Sequence, residues 1–167
     1  SPRTAQHALA NSARNQLGNL IVARASMKVA ASEKGDKAKL LKEANALYEQ
    51  AFQVFRGMEE AVRTQLERIP KVLDTRDKRQ AAMAERRTQL RADYLQTQLT
   101  AAAIREEMAE TVPEGSPEFK KLLTEAAALY DVLYKKYRTR IAGLYARMNQ
   151  GRANQRMGKL QDALGYY

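Results

Sequence analysis

The amino-acid sequence predicts an all-α fold of stacked antiparallel helical hairpins, an α-solenoid with unusually long helices. Alanine, leucine, glutamine, glutamate, lysine and arginine dominate the chain, and these residues favour helix. Apolar residues recur at three- and four-residue spacing, as one face of a helix requires. The phrase LLKEANALY at residues 40–48 returns as LLTEAAALY at residues 122–130, with seven of nine positions identical. Such a repeat predicts that the hairpins are copies of one unit.

The first predicted hairpin covers about residues 4–69 and consists of two long helices. The first helix runs over about 4–31 and is followed by a glycine, which is a common signal for a helix end. The second helix runs over about 37–69, because Asp36 can cap its start and Pro70 must end or kink it.

The second predicted hairpin covers about residues 76–157. Its first helix runs over about 76–111, and the loop PEGSP follows it. Ser116 in this loop is a good N-cap for a single long helix over about 117–156. The large residues of that helix fall on one stripe, which predicts contact with a neighbouring helix. A further helix begins in the last segment, residues 160–167.

We interpret residues 1–167 as a single helical-repeat domain and as a piece of a longer protein. The repeated unit is a helix, a turn and a helix, and Arg24 and Met27 correspond to Arg105 and Met108 at an offset of 81 residues. The chain contains no cysteine, no visible signal peptide and no apolar run long enough to span a bilayer. These features predict a soluble protein, and they allow the cytoplasm and the periplasm equally.

Residues 145–167, YARMNQGRANQRMGKLQDALGYY, resemble a tetratricopeptide repeat. That family has a small residue within its first helix, a glycine at the turn, and an alanine with an aromatic residue in its second helix. The positions here that match are Gly151, Gly158, Ala163 and Tyr167. Two positions depart from the family pattern, because Arg147 and Asn154 stand where large aromatic residues are frequent. The resemblance implies a helical scaffold for protein–protein interaction. Residues 20–138 share with the family only a looser repeat of paired helices.

The pair of a small and an aromatic residue also occurs in both copies of the repeated phrase. Ala44 precedes Tyr48 by four residues, and Ala126 precedes Tyr130 by the same distance. We expect the alanine to let two helices approach and the tyrosine to fill the space beside it.

The charge pattern indicates an acidic partner. The net charge is +10, and residues 132–161 contain eight lysines and arginines without one acid. A solvated basic flank is the simplest interpretation, and a groove wall that binds an acidic protein or peptide is the functional one. The residues predicted to contact such a partner are Lys136, Arg138, Arg140, Arg147, Arg152 and Arg156.

Two other functions stay open from the sequence, namely nucleic-acid binding and a structural role through self-association at the C-terminal end. An enzyme is not predicted, and neither a metal nor a cofactor is expected. Glu106, Glu107 and Glu110 are one helical turn apart, but the helical di-metal pattern also needs histidines nearby. His7 is the only histidine, and we interpret the three glutamates as surface residues.

Overall fold

The computed structural model describes the backbone of residues 2–166, and the side chains of residue 6 and residues 8–166. This part of the chain is all-helical and contains no strand, which confirms the predicted class. None of its helices is long and apolar enough to cross a membrane. The helices are α1 (Pro2–Ala31), α2 (Lys37–Glu67), α3 (Lys78–Met108), α4 (Pro117–Tyr137), α5 (Ile141–Arg156) and α6 (Leu160–Leu164), with a 3₁₀ turn at Ala109–Thr111.

Three helices begin at side-chain caps. The Asp36 carboxylate accepts a hydrogen bond from the backbone N–H of Lys39 at 3.1 Å, and the Ser116 hydroxyl accepts one from Phe119 at 3.1 Å. Asp77 caps α3 in the same way. Each cap satisfies backbone donors that have no partner inside the helix, which fixes where the helix starts.

The single helix predicted over 117–156 is wrong, because α4 ends at Tyr137 and α5 begins at Ile141. The backbone N–H of Arg140 donates to the Tyr137 carbonyl at 2.8 Å and closes a tight turn between them. A Cβ atom at Gly143 would lie well inside van der Waals contact of that carbonyl. The first turn of α5 can approach the end of α4 this closely only because residue 143 is glycine.

Helices that follow one another in the chain pack against one another, from α1 with α2 through α5 with α6. Two apolar clusters lie between them. The larger cluster joins α1, α2, α3 and the start of α4, and its largest fully buried side chains include Tyr48 and Phe55. The smaller cluster lies between α3, α4 and α5 and is centred on Tyr130. In the larger cluster, Gly18 allows α1 to pack closely against α2, since a Cβ atom at residue 18 would lie 2.6 Å from the Phe55 ring.

Both copies of the repeated phrase face the interior. Ala44 and Tyr48 of α2 are buried, and so are Ala126 and Tyr130 of α4. In the C-terminal segment Gly151 and Ala163 are buried, and Gly158 ends α5 with a positive φ of 79°. That backbone conformation strongly favours glycine. Tyr167 and the side chain of His7 lie outside the described residues.

Candidate functional site

Helix α5 turns its small residues inward and its large apolar residues outward. Gly143, Ala146 and Ala153 are buried against the rest of the protein. Ile141 is 86% exposed and Leu144 is 62% exposed, although both were predicted to contact a neighbouring helix. We define the α5 surface as the exposed apolar residues that recur at three- and four-residue spacing on its outer side, namely Ile141, Leu144, Tyr145 and Met148. An exposed apolar patch of this kind is typical of an interaction site.

A groove runs beside the α5 surface, between α3 and α5. Its first part is a cavity of 480 Å³ whose lining is mainly apolar, with Leu99 and Ala103 on the α3 side and Ile141 and Tyr145 on the α5 side. Ala103 also lines the second part, which is polar and contains Glu106. The groove therefore offers an apolar end near the α4–α5 turn and a charged end farther along α5.

The charged end is organised by Glu106, whose side chain is buried on α3. Arg152 of α5 donates from Nε to Glu106 Oε1 at 2.7 Å and from Nη2 to Oε2 at 2.8 Å. This bidentate pairing matches the planar guanidinium to the carboxylate, and bidentate pairs are the strong form of an arginine–carboxylate contact. These hydrogen bonds raise the pKa of Arg152 above its ordinary value.

Two more side chains complete the network around Glu106. The Tyr130 hydroxyl of α4 donates to Glu106 Oε2 at 3.3 Å, and Arg156 Nη1 lies 3.5 Å from Oε1. Burial, together with the neighbouring Glu106 carboxylate, raises the pKa of Tyr130 above its usual range. One buried carboxylate thus connects three helices, and the tyrosine of the second repeated phrase is one of its partners.

The six residues predicted to contact a partner fall into three groups. Arg152 and Arg156 are paired with the buried Glu106 carboxylate, although the Arg152 side chain itself is half-exposed. Lys136 lies over the Tyr94 ring at 4.6 Å, and Arg147 lies near the rings of Tyr134 and Tyr166, at 4.7 Å and 4.1 Å. Arg138 and Arg140 are exposed in the α4–α5 turn, beside the apolar end of the groove, and within the described residues neither forms an ion pair.

No protein-family model, curated protein or solved structure matches this chain. The candidate site is therefore defined by its geometry. It combines the α5 surface, the groove between α3 and α5, and the two arginines of the turn.

Two features of this site were not found from the sequence. The sequence assigns Glu106 to the surface, because the histidines that a helical di-metal site needs are missing; in the structure Glu106 is buried. When α4 and α5 are drawn as one helix, the sequence predicts that Ile141, Leu144 and Met148 continue an apolar stripe that contacts a neighbouring helix, and it places Tyr145 among the basic residues at one edge. A break after Tyr137 changes the direction in which that stripe points.

The charged end of the groove contains, besides the buried Glu106, the partly buried acid Glu107. Burial raises the pKa of its carboxyl group, and the neighbouring carboxylates of Glu110 and Glu106 raise it further, while a hydrogen bond with Tyr48 opposes the change. Tyr48 also lies 3.0 Å from the Ser26 hydroxyl of α1. The two tyrosines of the repeated phrases therefore occupy similar settings, each hydrogen-bonded to the preceding helix.

Proposed function

We propose that the chain is a non-catalytic, tetratricopeptide-like scaffold that binds an acidic amphipathic segment of another protein. The observation that carries this proposal is the inverted pattern of α5, with small residues inside and large apolar residues outside. A helix that needs no partner would place its large apolar residues in the core. The four residues of the α5 surface gain burial only if another molecule covers them.

The charges around the groove favour acidic residues of the bound segment at one end of the groove only. At the charged end, Glu106 and Glu110 already neutralise Arg152 and Arg156. At the other end, Arg138 and Arg140 are exposed beside Ile141. The proposed ligand therefore places apolar side chains on the α5 surface and its acidic residues against the α4–α5 turn, where complementary charge also speeds association.

The scaffold is proposed to be a solenoid of stacked antiparallel hairpins. Packing between helices adjacent in the chain supports this arrangement, as does the burial of equivalent residues in both repeated phrases. In repeat proteins each unit contacts its neighbours, and the surfaces between units serve as binding sites.

A defined peptide tests the binding proposal. A labelled helical peptide with leucines on one face and glutamates at one end should bind the protein, measured by fluorescence anisotropy. The same peptide with lysines in place of the glutamates should not bind. Arg138→Gln with Arg140→Gln should weaken binding by about tenfold or more, whereas the matched control Arg79→Gln with Arg91→Gln, two exposed arginines elsewhere, should not.

Equal binding by both protein variants would contradict the proposed site, provided that their thermal unfolding is unchanged. Binding of arbitrary duplex DNA that disappears steeply with added salt would point to the nucleic-acid function instead.

Self-association is a second candidate, favoured by the exposed Leu160 and Leu164 on α6. An exposed apolar helix face of this kind can pair with another copy of the chain. Sedimentation of the wild-type protein should then show dimers that Leu160→Lys with Leu164→Lys dissociates. A wild-type protein that is monomeric at all concentrations tested would remove this candidate.

A further inference from the structure

Helix α1 presents a second exposed apolar face, on the side away from α2. Its residues share one arc of the helix, whereas Ile21 and Ala25, on the arc that faces α2, are buried with the core. We define the α1 outer face as Leu9, Leu17, Leu20, Arg24 and Met27, of which the four apolar residues are each more than half exposed. This face is separate from the α5 surface and is not part of the proposed function.

The outer face of α1 corresponds to a face of α3 that already binds a helix. At the repeat offset of 81 residues, three exposed positions of α1 match three buried positions of α3 that lie in the core cluster with Tyr48 and Phe55 of α2. The pairs are Leu9 at 71% and Leu90 at 4%, Leu20 at 65% and Ala101 at 1%, and Met27 at 71% and Met108 at 4% exposure.

The inner faces of α1 and α3 correspond as well, namely the face of α1 toward α2 and the face of α3 toward α4. Ile21 of α1 faces α2, and its equivalent Ala102 lies in the cluster with Tyr130 of α4. Helix α1 therefore packs on α2 with the same face that α3 uses to pack on α4. It follows that the α1 outer face is equivalent to the side of α3 on which α2 lies.

A charged position supports the same correspondence. Arg105 of α3 is largely buried, where it pairs with Glu49 of α2 at 2.6 Å and stacks on the Phe52 ring at 3.7 Å. Its equivalent on α1 is Arg24, which is exposed. An arriving helix with a carboxylate in the place of Glu49 would give Arg24 the partner that Arg105 has.

We infer that the α1 outer face binds an α2-like amphipathic helix of another polypeptide, with an acidic residue opposite Arg24. The charge on α1 argues against the α5 surface of a second copy of the chain as the occupant. Helix α1 contains four lysines and arginines and no acid, and the α5 surface is flanked by the exposed arginines Arg138 and Arg140. Docking of these two faces would bring like charges together, which is unfavourable.

The sequence of α2 itself supplies the probe. A labelled peptide of residues 37–67 is titrated into the full protein and its anisotropy is measured. Saturable binding below about 100 μM is expected. Leu20→Lys with Met27→Lys should weaken it at least about tenfold, whereas Val72→Lys, which changes an exposed loop residue, should leave it unchanged.

A charge exchange tests the register of the complex. Arg24→Glu in the protein should weaken binding of the peptide, and Glu49→Arg in the peptide should restore it. Arg91→Glu, on an exposed site of α3, serves as the control. The inference is overturned if the peptide does not bind, or if binding is insensitive to Leu20→Lys with Met27→Lys, since the peptide would then have replaced the resident α2. If the leucine–glutamate peptide does not bind the α5 surface, the expected results for the α2 peptide are unchanged. The two proposals are therefore tested separately.

Discussion

The Glu106 carboxylate of α3 connects three helices, because it contacts Tyr130 of α4 and two arginines of α5. We predict that Glu106→Gln lowers the free energy of unfolding by about 1–2 kcal/mol, since charge-assisted hydrogen bonds are lost while the half-exposed Arg152 regains water. Chemical denaturation measures this change. Glu110→Gln is the matched control, because Glu110 is exposed and lies 3.8 Å from Arg156, and it should change the stability by less than about 0.5 kcal/mol. An equal effect of both substitutions would contradict the central role of Glu106.

Glu107 makes stability depend on pH in the opposite direction from a paired carboxylate. Burial raises the pKa of Glu107 in the folded protein above its ordinary value of 4.5, so the folded state binds the proton more tightly than the unfolded state does. The contribution of Glu107 to stability is thus fully present below pH 4.5 and is lost as the pH rises through the raised pKa. We predict that Glu107→Gln is more stable than the wild type at pH 7 and that this difference disappears in acid. Urea denaturation at several pH values measures it, and a difference that grows in acid would show that the sign is wrong.

At the scale of the elements, replacing two helical glycines by alanine is predicted to have opposite effects on stability. A Cβ atom at Gly143 meets the Tyr137 carbonyl, whereas one at Gly57, within α2, meets nothing within 4 Å. Gly143→Ala should cost about 1–3 kcal/mol because the turn between α4 and α5 must open. Gly57→Ala should stabilise by about 0.5–1 kcal/mol, since alanine loses less conformational freedom in a helix. Thermal unfolding of both variants checks the pair, and destabilisation by Gly57→Ala would contradict the open site.

The sequence predicted those helix ends that local chemistry determines. The caps at Asp36 and Ser116 and the ends near Ala31 and Ile69 depend on residues close by in the chain, and the structure has them within two residues. The break after Tyr137 could not be found in this way, because residues 138–140 contain neither glycine nor proline. Its signal is Gly143, whose importance depends on the approach of the Tyr137 carbonyl in three dimensions.

The candidate site was predictable only in its charge. The sequence places a basic segment at residues 132–161, but which of its arginines are paired within the protein depends on Glu106, a residue of another helix. Arg24 and Arg105 illustrate the same limit. They correspond at the sequence offset of 81 residues, yet of the two only Arg105 is paired with a helix on each side.

At the scale of the whole molecule, packing between chain neighbours predicts graded stability. Helix α1 contacts chiefly α2, whereas α2, α3 and α4 each pack on two principal neighbours. We predict that amide hydrogen exchange is fastest in α1 and α6 and slowest in the middle helices, because the ends can open without the rest. Mass spectrometry of the exchanging protein measures this. Uniform exchange through one global opening would indicate that all helices unfold together.

The exposed face of α1 also bears on how the protein could be lengthened. If residues 1–81 were duplicated head to tail, α2 of the first copy would be followed by a second α1 at the position now held by α3. Leu9, Leu20 and Met27 of that second α1 would then take the places of Leu90, Ala101 and Met108. A longer array could thus be assembled from this one segment, with few changes to the residues at the new junction.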